Sequence, residues 1–84
     1  MAYRVELTPR AASQFKKLPA LARGRLQKHI DGLAENPRPH GVKKLEIENA
    51  YRIRVGDYRI IYEIHDRVLW VIVVKVADRK EAYQ

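Results

Sequence analysis

The sequence predicts an α+β fold in which an α-helical hairpin packs on one face of a mostly antiparallel sheet. Apolar residues recur at helical spacing between positions 8 and 35, whereas positions 42–76 hold alternating and β-branched runs. Within those runs, Gly56-Asp57 suits a two-residue hairpin turn. The predicted order is βααββββ, followed by a short C-terminal tail.

The first predicted elements are a strand and two helices. Residues 3–7 alternate as a strand, with Thr8 as a helix N-cap and Pro9 at the first helical position. Pro19 separates the two helices. Their apolar stripes are Ala11, Phe15 and Leu18 in the first helix, and Ala22, Leu26, Ile30 and Leu33 in a second helix from about Leu21 to Glu35.

The remaining segments predict the other strands. Their expected ranges are a breaker loop at 36–41, a short strand at 42–45, a hairpin of 51–55 and 58–64, and a final strand at 68–76. The final strand is apolar on both faces, which favours a central place in the sheet. Trp70 within it is expected in the core.

Length and composition limit the classes of function. Eighty-four residues predict a single domain, 1–84. Seventeen Lys and Arg against ten Asp and Glu give a net charge of +7, which favours a nucleic acid or an acidic protein as partner. The absence of cysteine excludes disulfides and thiolate metal sites. The first residues lack a signal-peptide core and the longest apolar run is short, so we expect a cytoplasmic protein without membrane contact.

Three arginines are predicted to share one face of the hairpin. If Val55 pairs with Tyr58, Arg54 lies directly opposite Arg59, and Arg52 points the same way. Like charges opposed across a strand pair are destabilising, and arginine suits bidentate phosphate binding. The pattern favours an anion-binding face, although a solvated outer face is the alternative for any one arginine.

Other residues are predicted near this face. Glu63 shares it and is interpreted as a counterion for Arg52 rather than a catalytic group. Lys43 and Lys44 would widen the basic groove. Tyr83, in the tail, would either stack on an unpaired base or anchor the tail.

The histidines predict no metal site. His29, His40 and His65 lie on separate elements, and no pair has ligand spacing. A glycine-rich phosphate loop and a Ser/His/Asp arrangement are also absent from the sequence. We therefore expect neither a metal nor a cofactor.

One long segment carries a family resemblance. The sequence LEIENAYRIRVGDYRIIYEI, followed by an apolar strand and R-K-E-A-Y, resembles RelE-type toxins of the RelE/ParE superfamily. The resemblance extends over nearly the whole chain. It implies a type II toxin–antitoxin toxin, an mRNA interferase that cuts messages in the 30S A site of the ribosome and is silenced by a RelB-like antitoxin.

The same resemblance implies roles for five residues. The 2′-hydroxyl would attack the adjacent phosphate and leave a 2′,3′-cyclic phosphate. Arg59 would stabilise charge on that phosphate, Arg79 would protonate the leaving oxygen, and Arg52 would hold the backbone. Tyr83 would orient a base. Arg54 stands where the family often has a lysine that is proposed to deprotonate the 2′-hydroxyl.

Two residues depart from the family pattern. A guanidinium loses its proton only above about pH 12, so Arg54 is expected to act mainly as an electrostatic stabiliser. Glu63 and Tyr83 are alternative proton acceptors. Asp78 stands where relatives commonly carry histidine and would orient or mask Arg79.

Two other functions stay open at the level of sequence. The first is a ParE-like module that inhibits DNA gyrase. The second is a degenerate, non-catalytic domain that binds RNA or antitoxin, which the residues at 54 and 78 would suit.

Overall fold

The computed structural model describes residues 2–78 of the chain. Its element order confirms the predicted βααββββ. The elements are β1 (Arg4–Leu7), α1 (Pro9–Lys16), α2 (Ala20–Gly32), β2 (Lys43–Lys44), β3 (Ala50–Val55), β4 (Tyr58–His65) and β5 (Trp70–Asp78), with a 3₁₀ turn at Asp66–Val68. No helix in the described range is long and apolar enough to cross a bilayer.

The sheet has the strand order β1-β5-β4-β3-β2. The pairs from β5 to β2 are antiparallel, and β1 runs parallel to β5. The fold class is therefore the predicted one. Because β5 has a neighbour on each side, the central position predicted for the last strand is confirmed.

The N-terminus of α1 is capped as its sequence predicts. The Oγ1 atom of Thr8 accepts a hydrogen bond from the backbone N–H of Ala11 at 3.1 Å. Pro9 occupies the first turn, where its missing N–H costs nothing. This cap begins the helix directly after β1 and places it against the sheet.

A guanidinium joins the two helices. Arg23 on α2 donates to the carbonyl oxygens of Leu18 at 2.8 Å and Lys16 at 3.3 Å, which satisfies carbonyls at the end of α1. The second helix ends at Gly32, three residues before the predicted boundary, because residues 33–35 form turns.

The hydrophobic core lies between the helices and one face of the sheet. Its fully buried members include Leu26 and Ile30 from α2 and, from the sheet, Ile60, Tyr62, Ile64, Val71 and Val73. Tyr62 is buried with a polar tip, and its hydroxyl donates to the carbonyl oxygen of Pro37 at 2.7 Å. This bond attaches the 36–41 loop to the middle of the sheet.

A second set of contacts closes the same loop over the end of the sheet. Arg38 binds both carboxylate oxygens of Asp66, at 2.8 and 3.1 Å, and donates to the Tyr51 hydroxyl at 3.3 Å. The Tyr3 hydroxyl also donates to Asp66, at 2.6 Å. The hydrogen bonds from Arg38, which has the larger effect, and from Tyr3 lower the pKa of Asp66 to about 2.

Two expectations about the last strand are wrong. The 3₁₀ turn takes Val68 out of the strand, which begins at Trp70 and reaches Asp78. Trp70 is not in the core, because Val71 takes the inward position and successive strand residues alternate. Its half-buried ring lies on the face opposite the helices, 4.9 Å from the guanidinium carbon of Arg4.

Candidate nucleic-acid interface

The β3–β4 hairpin has the predicted register. Gly56 has a φ of 60°, which glycine adopts without steric cost, and the turn pairs Val55 with Tyr58. The next pair is Arg54 with Arg59. The predicted opposition of two guanidiniums is therefore confirmed.

We call the face of the sheet opposite the helices the arginine face, since it carries Arg52, Arg54 and Arg59. The strand pairing arranges its residues in rows that cross the sheet. One row is Arg54, Arg59 and Ala77, and the next is Lys43, Arg52, Ile61 and Lys75. The charges of the two rows are concentrated near the hairpin turn.

Arg52 is held in an unfavourable environment. Desolvation lowers the pKa of its guanidinium, and the charges of Arg54 and Arg59 lower it further. Its Nε atom is buried and finds no hydrogen-bond acceptor in the described part of the chain. A buried donor without an acceptor costs free energy, and this cost adds to the repulsion among the three guanidiniums.

Glu63 does not serve as the expected counterion of Arg52. Its Oε1 atom lies 2.9 Å from Nε2 of His65, two positions along the same side of β4. Glu63 pairs with Ala50 across the hairpin rather than with Arg52, and its carboxylate therefore binds the nearer side chain of His65. Within residues 2–78, no three His, Asp or Glu side chains cluster in a way that would hold a metal ion.

The two neighbouring lysines lie on opposite sides of the sheet. Lys43 pairs with Arg52 and belongs to the arginine face, but Lys44 pairs with Tyr51 and points the other way. The Nζ atom of Lys44 donates to the carbonyl oxygens of Leu45 and Ile47, at 2.8 and 3.1 Å, and lies 5.5 Å from the Tyr51 ring centroid. The structure therefore joins only Lys43 to the arginines.

Two predicted site residues, Arg79 and Tyr83, lie outside the described residues. The described chain ends at Asp78, which pairs with Tyr58 beside the hairpin turn. Ala77 pairs with Arg59. The last described residues of β5 therefore lie beside the hairpin turn.

Comparison with known proteins identifies the family. Residues 5–83 match the family described as "ParE toxin of type II toxin-antitoxin system, parDE". The chain is 30% identical to the putative toxin RelE1 of Methanocaldococcus jannaschii, over 100% of this chain and 98% of that protein. The chain belongs to the RelE/ParE superfamily, as a RelE-type toxin.

Further relatives of this RelE-type toxin agree in sequence and structure. It is 29% identical to the mRNA interferase toxin RelE of Escherichia coli K12, over 98% of this chain and 88% of that one. The toxin also resembles a chain of the solved archaeal RelE–RelB complex from Pyrococcus horikoshii OT3, with a TM-score of 0.85 and 30% identity. That match covers 94% of this chain and 97% of the solved one.

Sequence reasoning about this RelE-type toxin missed Lys75. The residue lies on the arginine face, because Val76 beside it points into the core opposite Ile60. The residues on either side of Lys75 in the sequence Val73-Val74-Lys75-Val76 are apolar. No alternation of polar and apolar residues therefore indicates which face of the sheet the lysine occupies. The only signal was the single charged residue in an otherwise apolar run. Because a charge is costly to bury, that residue is expected on the solvent-facing side of the sheet.

Proposed function

We propose that this toxin is a ribosome-dependent endoribonuclease that cleaves mRNA in the 30S A site and is silenced by a RelB-like antitoxin. The proposal is supported by the similarity to a protein named as an mRNA interferase. It is also supported by the chemistry of the arginine face, which suits a phosphodiester.

The observation that carries the proposal is the state of Arg52. Its buried Nε atom has no acceptor among residues 2–78, and it shares a face with a directly opposed arginine pair. Like charges opposed across a strand pair destabilise it, and the unsatisfied donor of Arg52 adds to that cost. A phosphate between the two rows would accept hydrogen bonds and offset the mutual repulsion of the guanidiniums.

The proposed reaction is attack of the 2′-hydroxyl on the adjacent phosphate, which yields a 2′,3′-cyclic phosphate and a free 5′-hydroxyl. Arg59 stabilises the charge that develops on the phosphate oxygens, and Arg54 adds to that field. Arg52, with Lys43 beside it, holds the RNA backbone. The roles of Arg79 as proton donor and Tyr83 as a base-stacking group remain predictions.

Dependence on the ribosome follows from what these groups do. Guanidiniums supply charge and hydrogen bonds but are poor proton acceptors. The rate must then depend strongly on a substrate already held in the attacking geometry, which the ribosome would supply.

The proposed partner is an antitoxin with an acidic segment. Solved relatives include RelE–RelB complexes, among them the one from Pyrococcus horikoshii. The net charge of +7 favours a carboxylate-rich segment laid against the arginine face. Such a segment would compete directly with RNA.

A second candidate is inhibition of DNA gyrase. It is favoured by the ParE description of the matching family. A gyrase inhibitor would use the same fold as a binding module without cleaving RNA. A degenerate RNA- or antitoxin-binding domain is the third outcome that the test must separate.

The test is controlled induction of the toxin in cells, followed by primer extension on abundant messages. Translated messages cut within codons, with cyclic phosphate ends, are expected. Intact messages with double-strand breaks in DNA would support gyrase inhibition, and unchanged growth would support the degenerate domain. Co-expression of the antitoxin should prevent the cuts.

A matched pair of variants tests the phosphate role. Arg59→Ala should abolish toxicity and leave the fold intact, whereas Arg10→Ala, on an exposed turn of α1, should stay toxic. Arg79→Ala and removal of Tyr83 and Gln84 should also impair cleavage. Full toxicity of both Arg59→Ala and Arg79→Ala would remove the phosphate-binding argument.

A further inference from the structure

The proposed cleavage needs a group that accepts the proton of the 2′-hydroxyl, and the arginines cannot do so near neutral pH. The following inference rests on that proposed function. Glu63 is already paired with His65, two positions farther along β4 from the arginine rows. The arginine face holds another titratable group much closer to Arg59.

Strand pairing places Lys75 in the row of Arg52. Ile61 of β4 lies between them, paired with Arg52 on one side and with Lys75 on the other. The side chain of Lys75 therefore emerges on the arginine face. It is half-buried and forms no ion pair with the other described residues.

A β-bulge sets this position. The β4–β5 register shifts between Ile61 and Tyr62, so that Tyr62 pairs with Val73 while Ile61 pairs with Lys75. Val74 is the extra residue. Bulges redirect side chains and occur often beside active sites. Without this one the alternation from Val73 would carry Lys75 to the core side.

The position brings an amine within reach of the phosphate that Arg59 would bind. Lys75 and Arg59 are diagonal neighbours, since Arg59 pairs with Ala77, and such pairs lie about 7–8 Å apart. Arg52 is two strands from Lys75, which is about 9–10 Å. The flexible four-carbon stem of lysine spans the gap between these rows.

The other lysines of the sheet are less well placed. Lys44 lies on the opposite side with its Nζ atom bound to two carbonyl oxygens. Lys43 shares the arginine face but lies beyond Arg52 at the sheet edge, two strands from Arg59. Among lysines 43, 44 and 75, Lys75 is the nearest to Arg59.

We propose that Lys75 is the general base of the cleavage reaction and takes over the part that the family gives to a lysine at the position of Arg54. The amine nitrogen of Lys75 accepts the 2′-hydroxyl proton as the 2′-oxygen forms its bond to phosphorus. The bond from phosphorus to the 5′-oxygen breaks, and that oxygen takes a proton from the donor of the proposed mechanism, Arg79. Lys75 then releases its proton to water, which restores the amine.

The decisive comparison is Lys75→Arg, which keeps the charge and removes the proton acceptor. Single-turnover cleavage of message on programmed ribosomes should fall about 10²–10⁴-fold, the range that general base catalysis supplies. Binding to the ribosome should change little. Lys28→Arg, on an exposed turn of α2, is the matched control and should cleave as the wild type does.

The cysteine-free sequence permits chemical rescue at this one position. Lys75→Cys should be inactive, and alkylation with 2-bromoethylamine should restore an amine on a thioether stem. General base catalysis needs the unprotonated amine, and the amine of the alkylated side chain is more acidic than that of lysine, so the limb on which the rate rises with pH should move to lower pH. A melting curve for each variant separates loss of catalysis from loss of fold.

The possible outcomes are distinct. Full activity of Lys75→Arg with an unchanged pH profile would overturn the inference and leave Lys75 as a cation only. Rescue without a shift of the profile would overturn it also. A wild-type protein that cuts no message would instead contradict the proposed function.

Discussion

Arg54 and Arg59 face each other directly across the β3–β4 hairpin, and Arg52 lies diagonally across from Arg59 on the same side. Three guanidiniums thus share a small area of one sheet face. The short Gly56-Asp57 turn maintains this arrangement by fixing the strand register. The fold therefore carries a repulsive cluster that an anion would relieve.

Arg52→Met should stabilise the protein and weaken its toxicity. The change keeps much of the aliphatic stem but removes a desolvated charge that Arg54 and Arg59 repel. A gain of about 0.5–2 kcal/mol in unfolding free energy is expected, the range for relief of unfavourable charge. Thermal melting at low and high salt measures it, and the gain should shrink as salt screens the repulsion.

The same melting experiment with Arg10→Met provides the comparison for Arg52→Met, because Arg10 is exposed on α1 away from the cluster. A variant at 52 that melts below the wild type would contradict the view that this guanidinium is strained.

Gly56→Ala should destabilise the hairpin by about 1–2 kcal/mol, the cost of placing a Cβ in the left-handed region. Gly56 has a φ of 60°. The atom nearest to a Cβ added at this position would be Nη1 of Arg25, at 3.6 Å, which is an ordinary van der Waals contact. The cost is therefore conformational rather than steric. Chemical denaturation of the purified protein gives the value.

Gly24→Ala is the control for the hairpin glycine. Gly24 lies inside α2, and an added Cβ there meets no atom within 4 Å. Alanine should stabilise this helix by about 1 kcal/mol. Equal effects of the two substitutions would show that the backbone conformation of Gly56 does not matter.

Tyr62→Phe should cost about 1–3 kcal/mol of stability, because it leaves the buried carbonyl oxygen of Pro37 without its donor. Tyr3→Phe removes a comparable bond to Asp66, but in an exposed site where water replaces it. Urea denaturation of both variants should show the larger loss for Tyr62→Phe. A similar loss in both would contradict the importance of burial.

The Arg38–Asp66 contact should make stability fall in acid. The pKa of Asp66 is about 2 in the folded chain, below its ordinary value of about 4. The contribution of this contact to the free energy of unfolding is complete above pH 4 and is lost as the pH falls through 2. The reason is that the unfolded state binds the proton near pH 4, whereas the folded state binds it only near pH 2.

Asp66→Asn tests this dependence. The difference in melting temperature between the wild type and this variant should narrow steadily below pH 4. NMR titration of the Asp66 carboxyl supplies the pKa directly. A difference that stays constant down to pH 2 would contradict the contact with Arg38.

Local features of the chain were predictable because they depend on neighbouring residues. The Thr8 cap and Pro9 define the start of α1 within one turn. The alternation of residues 51–62 and the two-residue turn were enough to place Arg54 opposite Arg59. In both cases the deciding interactions join residues close in sequence.

Other features of the site required the tertiary structure. Lys44 faces away from the arginines because β2 pairs with β3 in a register that sets Lys43 beside Arg52. Glu63 pairs with Ala50 across the hairpin, and its carboxylate binds His65 of its own strand rather than Arg52. Trp70 lies outside the core because Val71 fills the inward position. An apolar strand does not reveal which of its faces is inward.

The fold class, the element order and the opposed arginines were therefore predictable from the sequence, because all three follow from local patterns. The place of Lys75 became clear from the packing of the strands alone. A bulge between Ile61 and Tyr62 turns it onto the arginine face, and a one-residue shift in register exchanges the two sides of a strand. That shift depends on how β4 and β5 pack together, which no local pattern in either strand records.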